Sequence, residues 1–273
     1  MKRNILFLLI SLSFTGIHAQ DYKTYFDKAT RCEQTDSLEQ AEKYYRLALK
    51  AEPTNAHNCM IFANLGRLQY QMHRMEEAME SYDMALNMAP LTVPILMDRA
   101  SLALEMGNAD KALVDCSTIL DVNKNNAKAL LVRAYLRTAR REYKEAHEDY
   151  NKLLELEPLN AAGRMGLALL YQDEQKYKEA LEVLNKVITD EADDAELYIV
   201  RAGIEKDMNQ LDFALIDLDK AISLSPQYAN AYLLRGEILR KLDKKAMAKQ
   251  DFEKAIQLGI PRAELMEQLK ECK

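Results

Sequence analysis

The sequence has few of the residues that interrupt regular structure. Its 273 residues include eight glycines and six prolines, and tryptophan is absent. So few turn residues over such a length favour helices joined by short turns. The 48% of apolar and 29% of charged residues exclude a disordered chain. The length exceeds what one hydrophobic core usually holds, so we expect two domains or a repeat array.

Residues suited to catalysis or metal binding are also scarce. Beyond residue 19 there are three histidines, His57, His73 and His147, and none has a partner at metal-ligand spacing, so we interpret them as solvated. No GxSxG, HExxH or glycine-rich phosphate loop occurs. The acidic runs at 154–157 and 190–194 fall at helix ends, where a solvated surface explains them better than calcium binding. We predict no catalytic residues, no metal and no cofactor. A non-enzymatic protein is therefore favoured, and an enzymatic function is the weakest of the hypotheses.

The cysteines and the net charge limit both the disulfide chemistry of the chain and the classes of partner that it can bind. Cys32, Cys59, Cys116 and Cys272 contain no CxxC pair and lack the spacing of a disulfide scaffold, so we interpret them as helix-packing thiols, with Cys272 loose at the terminus. The formal charge is −6, and no basic run is present. Such a chain is a poor match to nucleic acid or to anionic lipid.

The N-terminus has the pattern of a secretory signal peptide over residues 1–19. Lys2 and Arg3 precede an apolar stretch at 5–17, and Ala19 is the small residue before a mature chain beginning at Gln20. The alternative to a cleaved signal peptide is an uncleaved membrane anchor, although the apolar stretch is shorter than the roughly 20 residues of a membrane span. No second apolar run follows, so we expect no integral membrane segment in the mature chain. We expect an exported protein, in the periplasm first, with the extracellular space or the envelope as alternatives.

A repeat of 34 residues covers most of the chain. Windows begin at residues 22, 59, 93, 127, 161, 195 and 229. The twentieth position is always alanine: Ala41, Ala78, Ala112, Ala146, Ala180, Ala214 and Ala248. The eighth is always small: Ala29, Gly66, Ala100, Ala134, Ala168, Ala202 and Gly236. The twenty-fourth is larger, with Tyr45, Tyr82, Cys116, Tyr150, Leu184, Leu218 and Phe252.

These positions have a direct physical interpretation. Each window holds two helical stretches, and small residues at positions 8 and 20 let the two helices approach closely. The side chain at position 24 fills the space beside them. Proline at position 32 ends the second helix, as at Pro53, Pro90, Pro158 and Pro226, because it lacks an N–H group.

The pattern resembles the tetratricopeptide repeat (TPR) family. The resemblance implies an all-α, right-handed solenoid of seven helix-turn-helix repeats over residues 20–262, followed by an amphipathic capping helix over 263–273. Two departures stand out. The family's aromatic at position 11 survives only as Tyr171, and residues 56–58 are an insertion before the second repeat.

Arginine at position 7 occurs in the same four repeats as aspartate at position 23. This covariation predicts four ion pairs between the two helices of a repeat: Arg99–Asp115, Arg133–Asp149, Arg201–Asp217 and Arg235–Asp251. Repeat five has Leu167 and Val183 instead, an apolar equivalent. Anion binding by these arginines is the alternative, and it is weaker because each arginine comes with its own counter-charge.

In the TPR family the first helices line a concave face where ligands bind. The family's carboxylate clamp of Lys and Asn is not present here. Position 5 is apolar in all seven repeats, and position 9 adds Tyr135 and Leu169, while charge collects toward the ends of the array. The resemblance therefore implies a partner-binding groove, with these candidate residues: Met97, Leu131, Tyr135, Met165, Leu169 and Ile199. Burial of the position-5 row as core is the competing interpretation.

The leading hypothesis is an exported adaptor or scaffold that holds a protein or peptide in this groove. The alternative is a structural subunit of a cell-envelope assembly that uses its outer surface or the ends of the array. Because one repeat fold serves many functions, this step is made by analogy.

Overall fold

The structure is a computed structural model, and it describes residues 20–272. The predicted signal peptide therefore lies outside the described residues. Within them the chain is all-α, with no strand. The described residues divide into two compact units, one ending at Arg133 and the other beginning at Ala134, with the boundary inside one helix.

Seven helix pairs follow one another along the chain, so the all-α repeat prediction is confirmed. The first helices of the pairs are α1 (20–34), α3 (Asn58–Gln71), α5 (Val93–Glu105), α7 (Ala127–Ala139), α9 (Ala161–Asp173), α11 (Ala195–Asp207) and α13 (Ala229–Lys241). The second helices are α2 (Leu38–Ala51), α4 (Met75–Met88), α6 (Ala109–Val122), α8 (Tyr143–Leu156), α10 (Tyr177–Asp190), α12 (Leu211–Leu224) and α14 (Lys245–Gln257). A 3₁₀ turn (Arg262–Leu265) and α15 (Met266–Glu271) close the chain.

Small residues bring the two helices of each pair together. All seven alanines at position 20 are 0% exposed. Where position 8 is glycine, an aromatic ring occupies the space of the missing side chain. A Cβ on Gly66 would lie 2.7 Å from the ring of Tyr82, and one on Gly236 would lie 2.7 Å from the ring of Phe252. In these two repeats the ring at position 24, where it lies, occupies the space that a methyl group at position 8 would need.

The turn inside each pair uses a left-handed backbone at position 15. Glycine provides it once, at Gly107 with φ 74°. The other six turns use non-glycine residues with φ between 55° and 62°: Asp36, His73, Arg141, Gln175, Asn209 and Asp243. In the second pair, the N–H of Arg74 donates to the carbonyl of Gln69 at 2.8 Å, which closes the helix end. These turns place the second helix antiparallel to the first.

The last helix covers the final pair within the second unit. Leu265, Leu269 and Cys272 form one buried cluster with Tyr232 and Phe252. Cys272 is 6% exposed, so its interpretation as a loose terminal thiol is wrong. The C-terminal segment supplies apolar contacts that a following repeat would otherwise provide.

Candidate functional site

The first helices form the inner layer of each unit. In the second unit α9 contacts α11, and α11 contacts α13, whereas successive second helices contact one another less. First helices that lie closer together than second helices give a surface that curves toward the first helices. Side chains at positions 5, 9 and 12 lie on that surface, which we call the inner face of the unit.

The inner face of the second unit carries exposed apolar side chains. Tyr135 is 62% exposed and Leu169 is 39% exposed. Met165 and Ile199 are half-buried and pack against a cluster that includes Leu184. Each of these two side chains therefore lies partly in the core and partly at the surface. At position 5 of these two repeats the side chains are neither fully buried nor fully exposed.

The two remaining candidates belong to the first unit. Leu131 is half-buried, whereas Met97 is 8% exposed and counts among the core residues. The prediction that Met97 lines an accessible groove is therefore wrong. Its helix, α5, buries three consecutive side chains, Ile95, Leu96 and Met97, so more than one side of this helix is covered.

Gly203 extends the row formed by Tyr135 and Leu169, because it holds position 9 of the sixth repeat. A Cβ built on Gly203 would meet no heavy atom within 4 Å. Glycine in the middle of a helix costs about 1 kcal/mol relative to alanine. Packing within the chain does not account for this glycine, and the space that its side chain would occupy is open.

Polar side chains at the C-terminal ends of the first helices connect neighbouring repeats. In the second unit Gln172 donates to Asp207 at 2.6 Å, and Lys206 donates to Glu237 at 2.6 Å. Arg240 reaches Glu271 in the same way. A depression of about 430 Å³ lies between α11 and α13 at these residues. Glu237 and Arg240, two of the charges toward this end of the array, are therefore paired within the chain.

Three of the four predicted Arg–Asp pairs are confirmed. The guanidinium groups of Arg99, Arg201 and Arg235 each make two hydrogen bonds, of 2.6–2.9 Å, to Asp115, Asp217 and Asp251. The three aspartates are 0%, 5% and 5% exposed. Each arginine therefore neutralises a buried carboxylate, which favours the structural role over anion binding.

One donor to the fourth aspartate and the second acceptor of each of these three arginines were missed. Asp149 accepts a hydrogen bond of 2.7 Å from Arg137, at position 11, which the covariation did not predict. Each of the three arginines also donates to position 25 of the preceding repeat, at 2.6–2.7 Å: Asp83, Asn185 and Asp219. The sequence signal was present, since the acceptor always lies 16 residues before the arginine.

His147 is engaged in a contact between repeats, so its interpretation as a solvated residue is wrong. Its Nε2 lies 2.6 Å from Oε2 of Glu174, and its ring is 5.0 Å from that of Tyr171. Although burial opposes it, hydrogen bonds from Lys176 and His147 hold the pKa of Glu174 below its ordinary value. The group ties α8 to the end of α9.

Two further properties concern residues 20–272 only. No helix there is long and apolar enough to cross a membrane. In that same part of the chain, His, Cys, Asp and Glu side chains form no group of three or more that could hold a metal ion.

Comparison with known proteins connects this architecture to a family. Models described as tetratricopeptide repeat match residues 137–204 and, separately, residues 22–55 and 229–258. The crystal structure of a tetratricopeptide repeat protein from Parabacteroides merdae is 32% identical, with a TM-score of 0.80, over 93% of this chain and 99% of that one. Among curated proteins, no sequence matches this chain.

More distant structures share the fold alone. The MamA protein is 18% identical, with a TM-score of 0.58, over 64% of this chain and 93% of its own. YrrB, described as a TPR protein with an unusual peptide-binding site, is 17% identical, with a TM-score of 0.53, over 76% of this chain and 88% of its own. With the helix pairs, the buried alanines and the close Parabacteroides relative together, this chain belongs to the tetratricopeptide repeat family.

Proposed function

We propose that this protein is an exported adaptor that holds a protein or peptide partner on the inner face of its second unit. The observation that carries the proposal is the exposure of Tyr135 and Leu169, at 62% and 39%, in a surface row that ends at an unexplained glycine. Exposed aromatic and aliphatic side chains beside open space are typical anchors of protein-binding sites. TPR proteins act as protein-interaction scaffolds, and YrrB, which shares the fold, has a peptide-binding site.

The second unit also bears apolar side chains on its outer helices, which favours a second candidate. Phe213 and Ile216 on α12 are 62% and 64% exposed, and Met247 on α14 is 56% exposed. A cavity of about 770 Å³ between α12, α13 and α14 is lined in part by Met247 and Tyr232. The alternative is therefore a structural subunit of an envelope assembly that docks through these outer helices.

Site-specific crosslinking in cells separates the two candidates. A photoreactive amino acid is placed at position 135 in one strain and at position 213 in another, and each is combined with Leu169→Asp. For the adaptor we expect a discrete crosslinked partner from position 135 that Leu169→Asp abolishes while helicity is retained. Crosslinks from position 213 alone, indifferent to Leu169→Asp, would instead support the envelope subunit.

Export is tested on the same protein. We expect mass spectrometry of the purified chain to find an N-terminus at Gln20 and the protein to fractionate with the periplasm. Recovery of the intact N-terminus at Met1 from the cytoplasm would refute export and leave the binding proposal standing.

A further inference from the structure

The loops at one edge of the inner face in the second unit are acidic. They join α8 to α9 and α10 to α11, so they lie at the N-terminal ends of two first helices. Between residues 155 and 196 these loops and adjoining helix ends carry one cation, Arg164, and seven exposed carboxylates: Glu155, Glu157, Asp190, Glu191, Asp193, Asp194 and Glu196. We call this set the acidic edge.

Most of the acidic edge is not neutralised by the chain itself. Lys152 pairs with Glu155 at 3.0 Å, and Arg164 pairs with Asp190 at 2.8 Å. The other five carboxylates have no ion pair with a cation in the part of the chain that the structure describes. Burial, followed by the charges of Glu196 and Asp194, raises the pKa of Tyr228 in the next loop. Two carboxylates of the edge therefore lie close enough to Tyr228 to act on it electrostatically.

Helix stability accounts for only part of the acidic edge. Asp194 caps α11 by accepting a hydrogen bond from the N–H of Glu196 at 2.9 Å, which is a structural role. Glu155 and Glu157, however, lie at the C-terminal end of α8, and Asp190 and Glu191 lie at that of α10. A helix C-terminus carries partial negative charge, so carboxylates there are unfavourable.

The corresponding loops of the first unit lack this charge. With two residues of each adjoining helix included, segments 50–59, 87–94 and 121–128 contain two carboxylates, Glu52 and Asp121, against His57 and three lysines, Lys50, Lys124 and Lys128. The acidic edge is thus confined to the second unit, whose inner face carries the exposed Tyr135 and Leu169. Leu156 and Leu159, 36% and 73% exposed, add apolar surface to the edge itself.

The acidic edge and the apolar row are one short segment apart. Leu169 is eight residues after the first residue of α9, Ala161, which is about 12 Å along a helix. An extended chain covers that distance with roughly four residues. A single peptide can therefore contact both surfaces at once.

We infer that the partner of the second unit is a basic polypeptide segment, with apolar side chains on Tyr135 and Leu169 and Lys or Arg side chains on the acidic edge about four residues away. This inference rests on the proposed function and specifies the chemistry of its partner. Charge complementarity of this kind selects among partners and raises the association rate, and added salt weakens it.

Selection from a library of random 12-residue peptides tests the inference with the chain from Gln20. We expect the bound peptides to combine Leu, Phe or Tyr with Lys or Arg. For a selected peptide we expect Glu157→Lys with Glu191→Lys to weaken binding at least ten-fold. The matched control reverses two acids on the outer surface of the same helices, Glu148→Lys with Glu182→Lys, and should change binding less than two-fold.

The outcomes separate this inference from the proposed function. Peptides that depend on Leu169 but show no basic preference, or a preference that Glu157→Lys with Glu191→Lys leaves intact, would overturn the basic partner and leave the inner-face site standing. An absence of selected peptides, or binding that Leu169→Asp does not weaken, would overturn both. Lysine at positions 157 and 191 is favourable to the helix ends, so the melting temperature should not fall, and lost binding then reports on recognition.

Discussion

At the scale of the residue, glycines that look alike in the sequence have opposite roles. Gly66 and Gly203 both lie within first helices. The first is enclosed by the ring of Tyr82, whereas the second faces open space. The neighbouring helix causes this difference, and the glycine itself does not. The same substitution at both positions therefore distinguishes a glycine required by packing from one at an open surface.

Alanine at the two positions should change stability in opposite directions. Gly66→Ala forces a methyl group against the ring of Tyr82, so we expect a loss of about 1–3 kcal/mol in the free energy of unfolding. Gly203→Ala removes the flexibility of a mid-helix glycine without a clash, so we expect a gain of about 1 kcal/mol. Urea denaturation measures both, and a loss at Gly203 would show that its surroundings are not open.

A second feature at the scale of the residue is a carboxyl group whose burial disfavours its charged form. Glu205 is 9% exposed, and its Oε2 has no hydrogen-bond partner. Burial, together with the charge of Asp217, raises the pKa of Glu205 from 4.5 to about 7. Between these two pH values the folded chain holds a proton that the unfolded chain has released, so stability falls as pH rises and levels off above the folded pKa.

Glu205→Gln should therefore stabilise the protein at neutral and alkaline pH. The glutamine keeps the shape and carries no charge, so we expect a gain of about 2 kcal/mol at pH 8 and little change at pH 4. Unfolding measured across this range provides the test. Parallel pH profiles for the two proteins would show that Glu205 does not titrate near neutrality.

At the scale of the element, each of three arginines connects its own helix to two neighbouring helices. Arg235 on α13 binds buried Asp251 on α14 and exposed Asp219 on α12. The hydrogen bonds to Asp251 and Asp219 raise the pKa of Arg235 despite its burial. Repeat five reaches a similar packing with Leu167 and Val183, which are the residues at positions 7 and 23 there.

Removing one partner should cost more than removing both. Arg235→Leu leaves Asp251 buried without its counter-charge, so we expect a loss of about 3–5 kcal/mol. Arg235→Leu with Asp251→Val introduces the residues of repeat five and should lose less than the single change. A double-mutant cycle from chemical denaturation gives the coupling. A double variant as unstable as the sum of the singles would refute the pairing.

At the scale of the whole molecule, stability is expected to be local, because each repeat contacts mainly its neighbours. The end of the array shows this most clearly. Leu265, 2% exposed, covers the cluster of Tyr232 and Phe252 in the second unit. A change there should reach the last repeats before it reaches the first unit.

Leu265→Ala should destabilise the second unit selectively. The lost contacts and the cavity correspond to about 2–4 kcal/mol. Hydrogen exchange should show loss of protection in α13 and α14 with α3 and α4 unchanged. Leu159→Ala is the control, because that side chain is 73% exposed and should cost under about 0.5 kcal/mol. A uniform loss of protection along the chain would argue for one cooperative unit instead.

The sequence by itself determined where the helix pairs begin and end and which faces touch within a pair. Close approach of two helices demands small side chains at fixed positions, so the alanines from Ala41 to Ala248 report the register directly. The Arg–Asp covariation revealed three ion pairs for the same reason, because both partners lie within one repeating unit.

Contacts and side-chain exposures that depend on the distance between successive helix pairs were decided only by the tertiary structure. That spacing brought His147 to Glu174, and it gave Arg99, Arg201 and Arg235 their second acceptors. It also buried Met97 while leaving Tyr135 exposed on the inner face. A sequence period specifies which positions are equivalent, but the exposure of each depends on the side chains that the neighbouring repeat brings against it.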